Sequence, residues 1–186
     1  MRNIKNNIFE FATKELSQDA VICWCVNWFN QKNSELYPLA VDLLKLITDL
    51  DDNNLEDEIV IKKQLYKIDI LIYFKKTGKA VIVEDKVYSS EHHDQIVKYK
   101  NIIASISDSE KNKLGMKELN EIRTVYFKTG FFYDNDKMVE ADKIVQGKEF
   151  LEIVGKYKDK NTILQMYYEY LEGLIIWYED YGKFYN

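Results

Sequence analysis

Residues 67–86 read KIDILIYFKKTGKAVIVEDK, and this stretch decides the fold. Tyr66 to Phe74 and Ala80 to Lys86 are rich in β-branched and aromatic residues, which predicts two strands. KKTGK between them predicts a turn, with its glycine supplying the special dihedral. Glu58 to Lys62 reads as a further strand just before them. Successive strand side chains alternate faces, so Glu84 and Lys86 project together and Asp85 points the other way. The turn makes the two strands antiparallel neighbours, and counting back from it sets Asp69 beside Glu84 and Lys86. Charges at the end of apolar strands are costly to bury unless they are paired or bound to metal.

Working outward, Ile4 to Leu16 reads as a first helix. Ser17 is placed to cap a second over Gln18 to Asn30, with Ala20, Val21, Trp24 and Trp28 at helical spacing. Ser34 and Pro38 mark the start of a third, running to Leu50. The acidic run Asp49 to Asp57 reads as a solvated loop. Downstream, Glu91 to Ser105 reads as a helix, Ile122 to Lys128 as a strand ended by Thr129-Gly130, and 150–157 and 162–178 as helices. This order predicts an α/β (α+β) fold with a mixed sheet flanked by helices. One domain is expected over 1–186, with its core at about 4–128 and C-terminal helices at about 148–180.

The totals bound the function. A length of 186 residues fits one domain, and 46% apolar residues supply a core rather than a disordered tail. Cys23 and Cys25 do not face each other on a helix, so reduced thiols are expected. With two histidines in the chain, a Cys/His zinc site lacks ligands. The apolar stretch Ala20 to Phe29 is too short to span a bilayer, and the N-terminus lacks a secretory apolar core. A cytoplasmic protein without a membrane partner is expected. The net charge of −5 weighs against nucleic-acid binding. Residues 58–100, however, carry nine basic and six acidic side chains, the one net-basic stretch, and the candidate site lies within it.

Two carboxylates offer hard oxygen ligands to Mg²⁺, which keeps several waters and completes its shell from phosphate. An adjacent ammonium can orient a metal-activated water or offset charge developing on phosphorus. The same three residues also suit a plain ion pair of Lys86 with Asp69 or Glu84. His92 and His93 read as solvated residues at a helix start, and Trp24 and Trp28 as core. Tyr66, Tyr73 and Tyr88 suit either packing or base stacking. The tyrosines from Tyr167 to Tyr185 suit either a dimer surface or the core.

The run KIDILIYFKKTGKAVIVEDKVYSSEHHDQIVKY resembles the PD-(D/E)XK nuclease superfamily, and within it a mostly uncharacterised bacterial branch. Asp69 matches the acid of the second core strand, and Glu84-Asp85-Lys86 matches E-x-K on the third. Gln95 and Tyr99 match a Q-x-x-x-Y on the following helix. FATKELSQDAVICW resembles the opening segment of the same branch. The resemblance implies a restriction-endonuclease-like core, helix-strand-strand-strand-helix-strand. It implies a divalent-metal-dependent nuclease that hydrolyses DNA, in phage defence or DNA repair. Asp69, Glu84 and Glu15 are then the ligands of Mg²⁺ or Mn²⁺, Lys86 positions the attacking water, and Gln95 and Tyr99 support Lys86 or a phosphate. The alternative is a catalytically silent nuclease-fold protein acting as a binding or assembly module. Ile68 stands where proline often precedes the acid. The chain is also short for the branch, which leaves DNA recognition to a second copy or a partner protein.

Overall fold

The structure is a computed structural model that describes residues 6–12, 15–48, 50–90 and 94–185, with residues 52–53 and 181–185 described by backbone alone. Among them, β1 (Ile59–Leu65), β2 (Ile68–Phe74), β3 (Lys79–Lys86), β4 (Glu121–Lys128) and β5 (Lys143–Gln146) form one sheet in that order. The first two pairings are antiparallel and the last two parallel. The helices are α1 (Glu15–Asn27), α2 (Tyr37–Ile47), α3 (Asp52–Leu55), α4 (Gln95–Ser105), α5 (Asp108–Leu114), α6 (Gly147–Tyr157) and α7 (Thr162–Tyr185).

Helices cover both faces of the sheet. Ile70, Ile72, Val81, Val83, Val125 and Phe127 share one core with apolar side chains of α1, α2, α6 and α7. Leu71, Tyr73, Ala80 and Ile82 form a second core with Tyr99 and Ile103 of α4 and with Met116. β3 lies between the two and is buried at every position, which is why its apolar run is continuous rather than alternating. The expected mixed sheet flanked by helices is therefore the observed fold.

Two turns fix the register of the antiparallel strands. β1 and β2 are joined through Tyr66 (φ 54°) and Lys67 (φ 69°), both left-handed, as a twist-matched two-residue hairpin turn requires. At the β2–β3 turn, Gly78 has φ 70°, and a Cβ there would lie 2.6 Å from the Asn120 side chain. Asp57 supports this turn from outside the hairpin. One carboxylate oxygen accepts from the N–H groups of Glu58 and Lys76, both at 2.7 Å. The other accepts from the Thr77 N–H at 2.9 Å and the Thr77 hydroxyl at 3.1 Å.

Several expected elements are corrected. Within 4–16, the described part holds only a single 3-10 turn at Ile8–Glu10, capped by Asn7, and α1 begins at Glu15. Ser17 thus lies inside α1 instead of capping it. Ala20 is exposed, because α1 turns Gln18, Asp19, Val21, Ile22, Cys25 and Val26 inward. The acidic run is not simply a solvated loop: it contains α3, capped by Asp51, and Asp57 is buried. Neither α5 nor β5 was expected, and β5 carries the sheet beyond residue 128.

Asp57→Ala should lower stability by about 2–3 kcal/mol, because it strips charge-assisted bonds from several backbone donors at once. Urea unfolding measures this, and Asp57→Asn should recover part of the loss.

Candidate active site

β2 and β3 leave the sheet in register. Ile70 pairs with Val83, so Asp69 lies one step further along, opposite Glu84. Strand alternation puts Glu84 and Lys86 on the α4 side. The Lys86 Nζ sits 2.5 Å from Glu84 Oε1 and 3.8 Å from Asp69 Oδ2. Asp69 Oδ2 also accepts the Asp85 backbone N–H at 3.0 Å, and Asp69 Oδ1 accepts from Gln64 Nε2 at 3.0 Å. Asp69, Glu84 and Lys86 are thus brought together. Glu84 is only 1% exposed, and its Oε2 is buried with no hydrogen-bond partner.

That environment sets the charges. Burial, followed by the neighbouring charge of Asp69, pushes the Glu84 carboxyl up to about 7, against the opposing pull of Lys86. Burial pulls the Lys86 amine down, but Glu84, Asp69 and Glu15 outweigh it and hold the amine above its ordinary value. On α4, Gln95 Nε2 donates to the Tyr99 hydroxyl at 3.3 Å. Burial and then the charge of Glu84 raise the Tyr99 phenol. Gln95 and Tyr99 therefore share a helix face, with Tyr99 near enough to the carboxylates to feel them.

Glu15 is held elsewhere. Its Oε1 accepts the Val87 N–H at 3.0 Å and the Ser89 hydroxyl at 3.1 Å, just beyond β3. From the other side, the buried Lys128 amine donates to the carbonyls of Val87, at 3.3 Å, and Ser89. The segment leaving β3 is thereby gripped by an acid from α1 and a base from β4. Among the described residues no group of three His, Cys, Asp or Glu side chains is arranged to hold a metal ion. Strand register sets the carboxylates of Asp69 and Glu84 opposite each other. Their hard oxygens and the orphaned Glu84 Oε2 fit a divalent cation that keeps water in its remaining positions.

Asp85 points to the opposite face, as alternation requires. There its Oδ1 accepts from Gln18 Nε2 at 2.5 Å, while Gln18 Oε1 accepts from the hydroxyls of Thr129 at 2.7 Å and Tyr167 at 3.0 Å. Burial, and then Asp19 beside it, holds the Asp85 carboxyl well above the usual range. Gln64, with φ 56° in a strand, bridges this cluster to the site by donating from one amide to both Asp19, at 3.2 Å, and Asp69, at 3.0 Å. Sequence reasoning did not single out Gln18, Asp19, Gln64 or Lys128. The signal available for the first two was a polar Gln-Asp pair inside an otherwise apolar helical face.

The other candidates separate. Trp24 and Trp28 meet edge to face at 5.6 Å and pack against the core. Tyr73 is buried, and its hydroxyl donates to Glu118 O at 2.6 Å. Tyr66 and Tyr88 are exposed, and Tyr167 is buried in the core. His92 and His93 lie outside the described residues. No described helix is long and apolar enough to cross a membrane.

A family model described as the PD-(D/E)XK nuclease superfamily matches residues 6–184. Neither the curated proteins nor the solved structures contain a match to the chain.

The raised Glu84 carboxyl makes stability depend on pH. From the ordinary value of 4.5 up to about 7, the metal-free folded protein holds a proton there that the unfolded chain has released, so this group's contribution falls as pH rises. The melting temperature of Glu84→Gln, relative to wild type, should therefore climb across that window and level off above it. Thermal melts in a chelator at a series of pH values measure the difference, and a flat difference would contradict the assignment.

Proposed function

Because the chain belongs to the PD-(D/E)XK nuclease superfamily, we propose that it is a divalent-metal-dependent nuclease hydrolysing phosphodiester bonds of DNA. The observation that carries this reading is the pairing of half-buried Asp69 with buried Glu84, with one Glu84 carboxylate oxygen unpartnered and the Lys86 ammonium against them. An ordinary ion pair would need one acid. Here a second, buried acid is held where its charge is costly, and this suits a site built for a cation.

Asp69 and Glu84 would hold Mg²⁺ or Mn²⁺. Such an ion polarises the scissile phosphate and lowers the pKa of a bound water. Lys86 would aim its N–H donors at the attacking water and at the phosphoryl oxygens where charge develops. Gln95 and Tyr99 would hold Lys86 or a phosphate from the α4 side. We assign Glu15, together with Lys128, to fixing the exit of β3, and keep a water-mediated metal contact as its second role. The whole of 1–186 reads as one nuclease-like domain, acting in the cytoplasm in phage defence or DNA repair, with a second copy or a partner protein contributing DNA recognition.

The Lys86 ammonium already balances part of the charge on Asp69 and Glu84, and it would repel a cation held by the same carboxylates. Lys86→Ala should therefore melt lower without metal yet gain a larger rise in melting temperature from millimolar Mg²⁺ or Mn²⁺ than wild type gains. Asp69→Ala should show almost no rise. In nicking assays on supercoiled plasmid and single-stranded oligonucleotides at low salt, wild type should cut with either metal. Lys86→Ala should cut on the order of a hundred- to a thousand-fold more slowly, the usual loss for one such electrostatic group. Metal binding without cleavage of any nucleic acid would replace the enzyme with the binding-module reading.

A further inference from the structure

Beyond β4, the chain passes close to the end of the catalytic strand and then opens into a cavity. The Thr129 N–H donates to Lys86 O at 3.1 Å. At Gly130 a Cβ would lie 1.9 Å from Val87 O, so only glycine can pass the residue that follows Lys86. Gly130 is also part of the wall of a cavity of about 510 Å³, lined by Phe131, Phe132, Ile175, Tyr178 and Gln146. The cavity thus adjoins, through Gly130, the segment that leaves β3, on the α6 and α7 side of the sheet, while Glu84 and Lys86 face α4.

Its chemistry is selective. The Phe131 ring stands 4.8 Å from Tyr133 at 62° and 6.1 Å from Tyr178 at 49°, so the aromatic wall is braced by its own contacts. Lys148 and Glu179 also line it, but they pair with each other, which leaves no net charge for a free anion or cation. The Gln146 carboxamide adds a donor and an acceptor at the edge. A flat, neutral ring with polar edges matches this combination, and in a nucleic acid that ring is a base.

We propose that this cavity takes an unpaired nucleobase of the strand being cut, where that strand passes around the end of β3, so that the protein acts on single-stranded or distorted DNA in preference to intact duplex. The inference rests on the nuclease reading of Asp69, Glu84 and Lys86. A base stacked in a duplex cannot enter a side cavity without leaving its partner, and that energetic cost discriminates against paired substrate. Phe131 and Phe132 supply specificity through stacking, apart from the carboxylates and the lysine.

The test uses single-stranded oligonucleotides carrying 2-aminopurine at successive positions, bound with Mg²⁺ to the Lys86→Ala protein. One position should lose fluorescence on binding, because the base stacks on an aromatic ring. Adding Phe131→Leu or Phe132→Leu, each first checked by thermal melting, should remove that quench and weaken binding about ten-fold, in keeping with the loss of one base–aromatic stack. In the Lys86 protein, the same leucine variants should raise KM for single strands more than for duplex. Binding without a quench at any position, a quench unchanged in both leucine variants, or equal cleavage of duplex and single strands would overturn the base cavity while leaving the nuclease intact. A protein that neither binds nor cuts any nucleic acid would overturn both.

Discussion

β3 runs buried on both faces between two apolar cores and ends in three successive ionisable residues. None of Glu84, Asp85 and Lys86 reaches bulk water easily, so their partners must come from within the protein, which bonds one oxygen of each acid and leaves the other unpartnered. Alternation divides the task. One face gathers Glu84, Lys86, Asp69 and Tyr99; the other gathers Asp85, Gln18, Asp19, Thr129 and Tyr167. The placement of α1, α4 and α7 answers to these partners as much as to apolar burial. The two clusters also touch at the Asp85 N–H, which donates to Asp69, and at the Gln64 amide, which spans Asp19 and Asp69.

On the α4 face, the lysine neutralises only part of the charge. Its ammonium lies against Glu84 and within 3.8 Å of Asp69, yet Glu84 Oε2 keeps no partner. On the opposite face Asp85 Oδ2 and Asp19 Oδ1 are buried without a partner as well, so costly acidic charge is packed against β3 from both sides. The second grip, by Glu15 and Lys128 on Val87 and Ser89, fixes the exit of β3.

The hairpin of residues 67–86 was legible because its information is local: a period of two, an apolar run and a glycine turn. The convergence of Asp69, Glu84 and Lys86 followed from that register alone. Residues whose role depends on distant contacts were not legible. Asp57 reads as one acid in a solvated run, and only its position beside the β2–β3 turn makes it a turn support. β5, four residues long, is a strand only because β4 is beside it. Ser17 reads as a helix cap by its residue type, yet α1 already begins at Glu15, and the burial of Gln18 and Asp19 within it depends on Asp85, far along the chain.

The Gln18 carboxamide is a meeting point for remote parts of the chain. It donates to Asp85 and accepts from Thr129 and Tyr167, spanning 67, 111 and 149 positions in sequence. Contacts of such separation form late, because closing long loops costs entropy before any contact offsets it. During synthesis, Gln18 cannot gain its last donor until the ribosome has passed residue 167. The hydrogen bonds that join α1 to β3, to Thr129 and to α7 through this one side chain are therefore complete only once α7 is present.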